Sequence, residues 1–175
     1  MNKIILVTGG SRSGKSVFAE QCTDFAAGNR AYIATAHITD EEMMRRVKAH
    51  RERRAGNGWS NIEEEYDLAA ALELAKGKDA VLVDCLSVWI NNLMFRDPAF
   101  SEADMVRETG RLTSALKAFR GVIVLVINEV GQGIVPENEL ARRFRDCSGR
   151  CGQMIAAAAD EVWYCVCGIP MKIKG

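Results

Sequence analysis

Ile4-Ile5-Leu6-Val7-Thr8-Gly9-Gly10-Ser11-Arg12-Ser13-Gly14-Lys15-Ser16 is the stretch that decides the fold. A short apolar run, Lys3–Thr8, breaks at two glycines, and residues of helical composition follow from Ser16 to Ala27. Gly9–Ser16 fits G-x-x-x-x-G-K-[ST] without a mismatch, and the motif is credible only between a buried strand and a helix. Each residue type has a physical reason. Glycines let backbone N–H groups wrap phosphate oxygens. The following helix turns its positive end toward them. Lys15 is placed to reach the β- and γ-phosphates, and the Ser16 hydroxyl to bind Mg²⁺. The stretch therefore predicts a P-loop and a nucleoside triphosphate, GTP or ATP.

Outward from it, strands and helices alternate. Arg30–Thr35 reads as a second strand. Asp40–Arg54 reads as a helix, with acids in its first turn and basic residues at its end, complementing the helix dipole. Leu68–Lys76 reads as an Ala-rich helix, Ala80–Cys85 as an apolar strand, and Leu86–Phe95 and Ser101–Phe119 as helices. Val122–Asn128 carries the strongest strand signal. Glu137–Ala159 reads as a long helix and Glu161–Val166 as a last strand. The alternation predicts an α/β protein with a mostly parallel sheet flanked by helices. At 175 residues one domain spanning 1–175 is the simplest organisation.

Composition narrows the classes. Lys+Arg and Asp+Glu stand at 23 each, which argues against a chain-wide electrostatic nucleic-acid binder. No apolar run reaches the ~18 residues of a membrane span, and the N-terminus leads straight into the P-loop rather than reading as a signal peptide. A cytoplasmic location is expected. Six cysteines form no CxxC pair. Cys147 and Cys151, four apart on a helix, could present two metal ligands, but the scarcity of histidine favours buried or reduced thiols.

A P-loop enzyme needs an acid at a neighbouring strand end. Val81-Leu82-Val83-Asp84 has the Walker-B pattern, and Val124–Asn128 leads into Glu129. In a parallel sheet both acids reach the P-loop edge. Asp84 or Glu129 could hold Mg²⁺ or act as general base, or merely cap the next helix. The segment from Arg45 to Arg54 is basic. A basic run is usually a solvated helix face, but here it follows the second strand, where cations could offset charge on a leaving pyrophosphate. His50 shares an apolar stripe with Met43 and Val47, so spacing favours a packed histidine. The sharper reading is a nucleophile, because a neutral imidazole can attack phosphorus. His37 is the only rival.

The opening Ile5–Ser16 resembles the start of the bifunctional adenosylcobinamide kinase/adenosylcobinamide-phosphate guanylyltransferase family. So does Tyr32-Ile33-Ala34-Thr35-Ala36. His50-Arg51-Glu52-Arg53-Arg54 with Trp59 is similar to that family's guanylylation region. The most specific block is Asn128–Asn138, continuing through Leu140–Asp146, Ala157–Trp163 and the closing Gly168–Lys174. The resemblance spans the chain, departing mainly at Asp67–Lys78 and around Asp97–Asp104. At Asp84 some members have Glu.

The resemblance implies a RecA-like P-loop fold, a propeller-shaped homotrimer and two reactions at one site. In the first, the γ-phosphate of ATP or GTP goes to the aminopropanol hydroxyl of adenosylcobinamide. In the second, GTP transfers GMP to a histidine and then to adenosylcobinamide phosphate, giving adenosylcobinamide-GDP. It implies that His50 is that histidine. It puts Gly9, Gly10, Ser11, Arg12, Ser13, Gly14, Lys15, Ser16, Ala34, Thr35, Ala36, Arg51, Glu52, Arg53, Arg54, Glu63 and Asp84 where nucleotide binds. Two rival functions remain at this point. A monofunctional small-molecule kinase would leave no covalent label, and a nucleotide-dependent switch would take no small-molecule acceptor.

Overall fold

The computed structural model describes residues 2–26, 28–36 and 58–175. Among these residues seven strands form one sheet. In chain order these are β1 (Asn2–Gly9), β2 (Arg30–Ala34), β3 (Trp59–Glu63), β4 (Ala80–Asp84), β5 (Gly121–Asn128), β6 (Glu161–Val166) and β7 (Ile169–Lys174). Their spatial order is β3-β2-β4-β5-β1-β6-β7. Every pairing is parallel except the last, β6 with β7. Apolar, β-branched runs such as Val81–Val83 and Ile123–Ile127 are buried on both faces, as central parallel strands require.

The helices are α1 (Lys15–Gln21), α2 (Leu68–Leu74), α3 (Leu86–Arg96), α4 (Glu102–Ala118) and α5 (Glu139–Ala158). Their starts are written locally. Asp67 accepts from the Ala70 amide, Asn138 accepts from the Ala141 amide, and Ser101 and Asp104 form a capping box. The main core joins one sheet face, with Leu6, Ile33, Val83 and Leu125, to Leu72 of α2, Trp89 of α3, Leu112 of α4 and Ile155 of α5. The smaller core lies on the other face, where Val7, Tyr32, Leu82 and Val126 meet Ala19 of α1. The α/β P-loop architecture expected from the sequence is what forms.

Several boundaries and two strands differ from expectation. The helix expected over Ser16–Ala27 ends at Gln21. Cys22 caps it, Thr23 bonds back to the Glu20 carbonyl at 2.6 Å, and a 3₁₀ turn follows at Asp24–Ala26. β3 was not expected: Trp-Ser-Asn-Ile-Glu is polar, as befits an edge strand with Ile62 packed on the core. β7 was also missed as a strand. Its turn, Cys167-Gly168, has φ of 51° and 81°, the two positive values a two-residue hairpin demands, but Cys in the first position is an uncommon signature. Cys167 is exposed rather than buried, and all six thiols are free. The helix expected over Asp40–Arg54 lies outside the described residues.

The parallel register collects one edge. Ala34 of β2 is the register partner of both Glu63 of β3 and Asp84 of β4, and Gly9 is level with Asn128 of β5 and Cys165 of β6. One strand, β5, stands between the P-loop strand and the strand that ends in Asp84.

Candidate active site

The P-loop is held from two sides. At the end of β1 the Gly9 carbonyl accepts from the Glu129 amide at 2.9 Å, and the Ser13 carbonyl accepts from the Gly168 amide at 3.0 Å. Within the loop the Ser13 amide reaches the Gly10 carbonyl at 3.3 Å. Two glycines are structurally required. A Cβ on Gly9 would lie 2.5 Å from the Cys165 carbonyl oxygen and 2.6 Å from Ser13 Oγ. Gly14, the N-cap of α1, has φ 90° and ψ 0°, and its Cβ would lie 3.0 Å from Gly168 Cα. The β6–β7 turn therefore braces the loop from behind.

Lys15 is the first residue of α1 and only 8% exposed. Its Nζ folds back to donate to the Gly10 carbonyl at 3.0 Å, so the ammonium sits against the loop backbone. The Ser13 hydroxyl is buried without a hydrogen-bond partner. Ser16 is half-buried, whereas Ser11 and Arg12 are exposed. Arg12 adopts φ 56°.

Asp84 ends β4 on the same sheet face as Leu82 and Tyr32, the face that α1 covers. The Tyr32 hydroxyl donates to Asp84 Oδ2 at 3.2 Å. The next residue is fixed on both backbone groups. Thr35 Oγ1 donates to the Cys85 carbonyl at 2.9 Å and accepts from the Cys85 amide at 2.9 Å. Asn92 Nδ2 in turn donates to the carbonyls of Thr35 at 2.8 Å and Glu65 at 3.1 Å. The Cys85 thiol is pushed up to about 12, first by burial and then by the Asp84 charge, with Lys15 opposing.

Glu129 differs. Its Oε1 accepts from the amides of Gly131 and, at 3.0 Å, Gln132. The loop after β5 is tied down further by Arg145, which donates to the Gly131 carbonyl at 2.6 Å, and by Arg142, which donates to the Pro136 carbonyl at 2.9 Å. Glu129 is thereby engaged in shaping its own loop.

Most of the sequence-predicted residues with described positions do gather at this edge: Gly9–Ser16, Ala34, Thr35, Ala36, Asp84 and Glu129. Glu63 is at the same edge but four strands from β1, about 19 Å away at usual strand spacing. Thr35 is fully buried and its hydroxyl is spent on Cys85. His37, His50, Arg51, Glu52, Arg53 and Arg54 lie outside the described residues. Sequence reasoning missed Tyr32 as the partner of Asp84, Asn92 as the clamp on Thr35, and Ser87, which accepts from the Asn128 amide at 2.8 Å. Only the tyrosine offered a signal: two residues before Ala34 on β2, it shares a face with the acid of a neighbouring strand.

Mg²⁺ fits the donor set. It prefers a few hard oxygen ligands and keeps waters and phosphate oxygens for the rest, so the Ser16 hydroxyl and the Asp84 carboxylate are chemically suitable and a closed protein cage is not needed.

Residues 5–173 match the cobinamide kinase / cobinamide phosphate guanyltransferase family. The chain belongs to this family. It is 44% identical to the bifunctional adenosylcobalamin biosynthesis protein CobU of Salmonella typhimurium, covering 98% of this chain and 99% of that one. It is 41% identical to CobU of Escherichia coli, with the same coverage. Identity to the bifunctional protein CobP of Pseudomonas aeruginosa is 42%, over 97% of this chain and 96% of that one. A cobinamide kinase and guanyltransferase family fits a P-loop with an acid at the end of a strand two places away in the sheet. Among the described residues no helix is long and apolar enough to cross a membrane.

Proposed function

We propose that this chain phosphorylates adenosylcobinamide with ATP or GTP. It then transfers GMP from GTP, through a guanylylated His50, to give adenosylcobinamide-GDP. The observation that carries the reading is an intact, braced P-loop at Gly9–Ser16 in a chain whose family match runs from residue 5 to residue 173.

In the kinase step the backbone amides of the P-loop and Lys15 hold the β- and γ-phosphates and offset their charge. Mg²⁺, when bound by Ser16 and Asp84, neutralises phosphate charge. Asp84 also accepts the proton of the acceptor hydroxyl, directly or through water, while Glu129 keeps the neighbouring loop in shape. In the second step the neutral imidazole of His50 attacks the α-phosphorus of GTP. A P–N bond forms, and the bond to pyrophosphate breaks. Arg51, Arg53 and Arg54 suit the departing oxygens, since guanidinium offers planar two-point contact. The adenosylcobinamide-phosphate oxygen then displaces histidine. The covalent stage divides one hard transfer into two easier ones. Glu52, Ala34, Thr35, Ala36 and Glu63 belong to the nucleotide-binding set, Thr35 by holding Cys85 rather than by its hydroxyl. Glu63, at the far end of the edge, suits the nucleoside end.

The chain acts in the cytoplasm as a homotrimer. Exposed apolar side chains at Ile134, Ile169 and Ile173 support self-association, and light scattering of the purified protein reads the mass directly.

The test is covalent labelling. The protein is incubated with Mg²⁺ and GTP carrying label on the α-phosphate, then denatured. A label labile in acid and stable in base, lost in His50→Ala, is expected. An unlabelled wild type, or equal labelling of His50→Ala, would overturn the assignment. Lys15→Ala should lose both activities, whereas His50→Ala should retain kinase activity.

A further inference from the structure

β2 is buried through Ala31-Tyr32-Ile33. Ala31 and Ile33 belong to the main core and Tyr32 to the smaller one. Tyr32 is 6% exposed, and its ring meets that of Trp59 edge-on, with centroids 6.2 Å apart. Phenylalanine would supply the same ring, so packing does not account for the hydroxyl. A buried phenol needs a polar partner, and the register supplies one. Ala34 of β2 is level with Asp84 of β4, and Tyr32 is level with Leu82. Side chains two residues apart on a strand share a face. Tyr32 therefore lies diagonally behind Asp84, at a separation that a long aromatic side chain spans. Its hydroxyl donates to Asp84 Oδ2 at 3.2 Å.

The backbone at the end of β4 is pinned separately, because Thr35 Oγ1 bonds both the carbonyl and the amide of Cys85. A pinned backbone does not orient the carboxylate. Aspartate χ2 is a broad, roughly two-fold torsion, so the head group still rotates. A hydrogen bond to one oxygen sets that rotation, and with it the directions of the lone pairs on both. A general base or a metal ligand works only along those directions. The phenol is also suited to the task by its charge. A lysine or arginine in its place would neutralise the carboxylate and weaken its hold on a cation, whereas a neutral donor orients it and leaves its charge in place.

We propose that Tyr32 is a positioning residue for phosphoryl transfer, its hydroxyl orienting the Asp84 carboxylate toward the nucleotide and the acceptor. Tyr32 acts through Asp84 rather than on either substrate. The inference rests on the role given to Asp84 above.

The experiment is a double-mutant cycle on Tyr32→Phe and Asp84→Asn, with GTP and adenosylcobinamide as substrates. Tyr32→Phe keeps the ring and should unfold thermally close to wild type. Its kcat should fall about 10-fold while KM for GTP stays within about 3-fold. In the Asp84→Asn background the same substitution should change kcat by less than about 2-fold, because the carboxylate it orients is gone. Binding of Mn²⁺ in the presence of a non-hydrolysable GTP analogue, read by electron paramagnetic resonance, repeats the cycle without turnover. Kd for Mn²⁺ should rise about 10-fold in Tyr32→Phe and be the same in Asp84→Asn and the double variant. Coupling in either readout supports the inference: in kcat alone it makes Asp84 the base, and in Mn²⁺ binding alone the metal ligand. Wild-type values in Tyr32→Phe, or equal losses in both backgrounds, overturn the positioning role, and an impaired Asp84→Asn beside them leaves the proposed function standing. Wild-type kcat and Mn²⁺ binding in Asp84→Asn overturn the role of Asp84 and the inference with it.

Discussion

Replacing Gly14 and Gly168 separately by alanine isolates the brace on the P-loop. Both glycines have positive φ, 90° and 81°, so each alanine carries a conformational cost of about 1–2 kcal/mol. Only one meets an obstacle. The Cβ of Gly14→Ala would lie 3.0 Å from Gly168 Cα, backbone in a two-residue turn, whereas that of Gly168→Ala meets nothing within 4 Å. Forcing the turn away adds about 1–3 kcal/mol and pulls on the Gly168 N–H to Ser13 carbonyl bond. At about 2–4 °C per kcal/mol for a chain of this size, thermal unfolding should show Gly14→Ala well below Gly168→Ala. Nucleotide affinity, by titration calorimetry with GTP and Mg²⁺, should separate them further. Loosening two amide contacts to charged phosphate, each worth about 1.5–3 kcal/mol, weakens binding by 10²-fold or more in Gly14→Ala. Gly168→Ala should bind within about 3-fold of wild type, its N–H being intact. Equal unfolding temperatures and equal affinities in the two variants would refute the brace.

Asp84→Asn keeps an acceptor for Tyr32 but removes the charge, and should lower phosphoryl transfer by about 10²-fold or more. Glu129→Gln keeps an oxygen for the Gly131 and Gln132 amides and should cost less than about 10-fold; the opposite ranking would exchange their roles. Glu161 ties three strands, bonding Lys3 of β1 at 2.8 Å, Lys172 of β7 at 3.1 Å and the Trp163 indole at 2.9 Å. These partners, Lys3 first, lower its pKa from 4.5 to about 2. The depressed carboxylate contributes fully above its unfolded value and loses that contribution as pH falls from 4.5 toward 2. Urea titrations across that range should show Glu161→Gln less stable at neutral pH by about 1–2 kcal/mol after solvent screening. The gap should close in acid, and a gap that persists at pH 2 would contradict the linkage. Cys167 is the one exposed thiol, while burial raises Cys151 to about 12 and Cys22 to about 11. A disulfide-exchange reagent at pH 8 should find one fast thiol in the native protein, absent in Cys167→Ser, and a second fast thiol would show the other cysteines to be accessible.

The central strands were legible because burial on both faces leaves an unmistakable apolar run, as in Val81–Val83 and Val122–Ile127. The P-loop was legible because phosphate binding by backbone constrains residue type at four positions within eight. Edge strands carry no such constraint. β3 contributes little beyond Ile62 to the main core, and β7 is announced only by a Cys-Gly turn whose positive φ at Cys167 has no strong residue signature. The bonds around Asp84 and Cys85 were invisible for a different reason. Tyr32 lies on β2, Thr35 just follows it and Asn92 lies on α3, and their bonds depend on a strand order that places β2 beside β4. Sequence alternation predicts a parallel sheet but not that order.

The two acids show how far pattern alone can reach. Asp84 and Glu129 each follow an apolar strand, and by register Glu129 is the nearer to Gly9, so a reading from nearness would choose it. What separates them is local competition for the carboxylate. Gly131 and Gln132 follow within three residues, and their amides face back on Glu129 because the chain turns there toward Asn138, the cap of α5. A carboxylate that satisfies two backbone donors of its own loop gives up acceptor capacity that a metal or a substrate hydroxyl would need. Asp84 accepts instead from the Tyr32 hydroxyl, and Thr35 satisfies the Cys85 amide next to it. The strand inserted between β4 and β1 sets the end of β4 two strand spacings, about 10 Å, from the end of β1. On the proposed mechanism Asp84 serves the chemistry from a position set back from the cradle, while contact with the cradle commits Glu129 to its architecture.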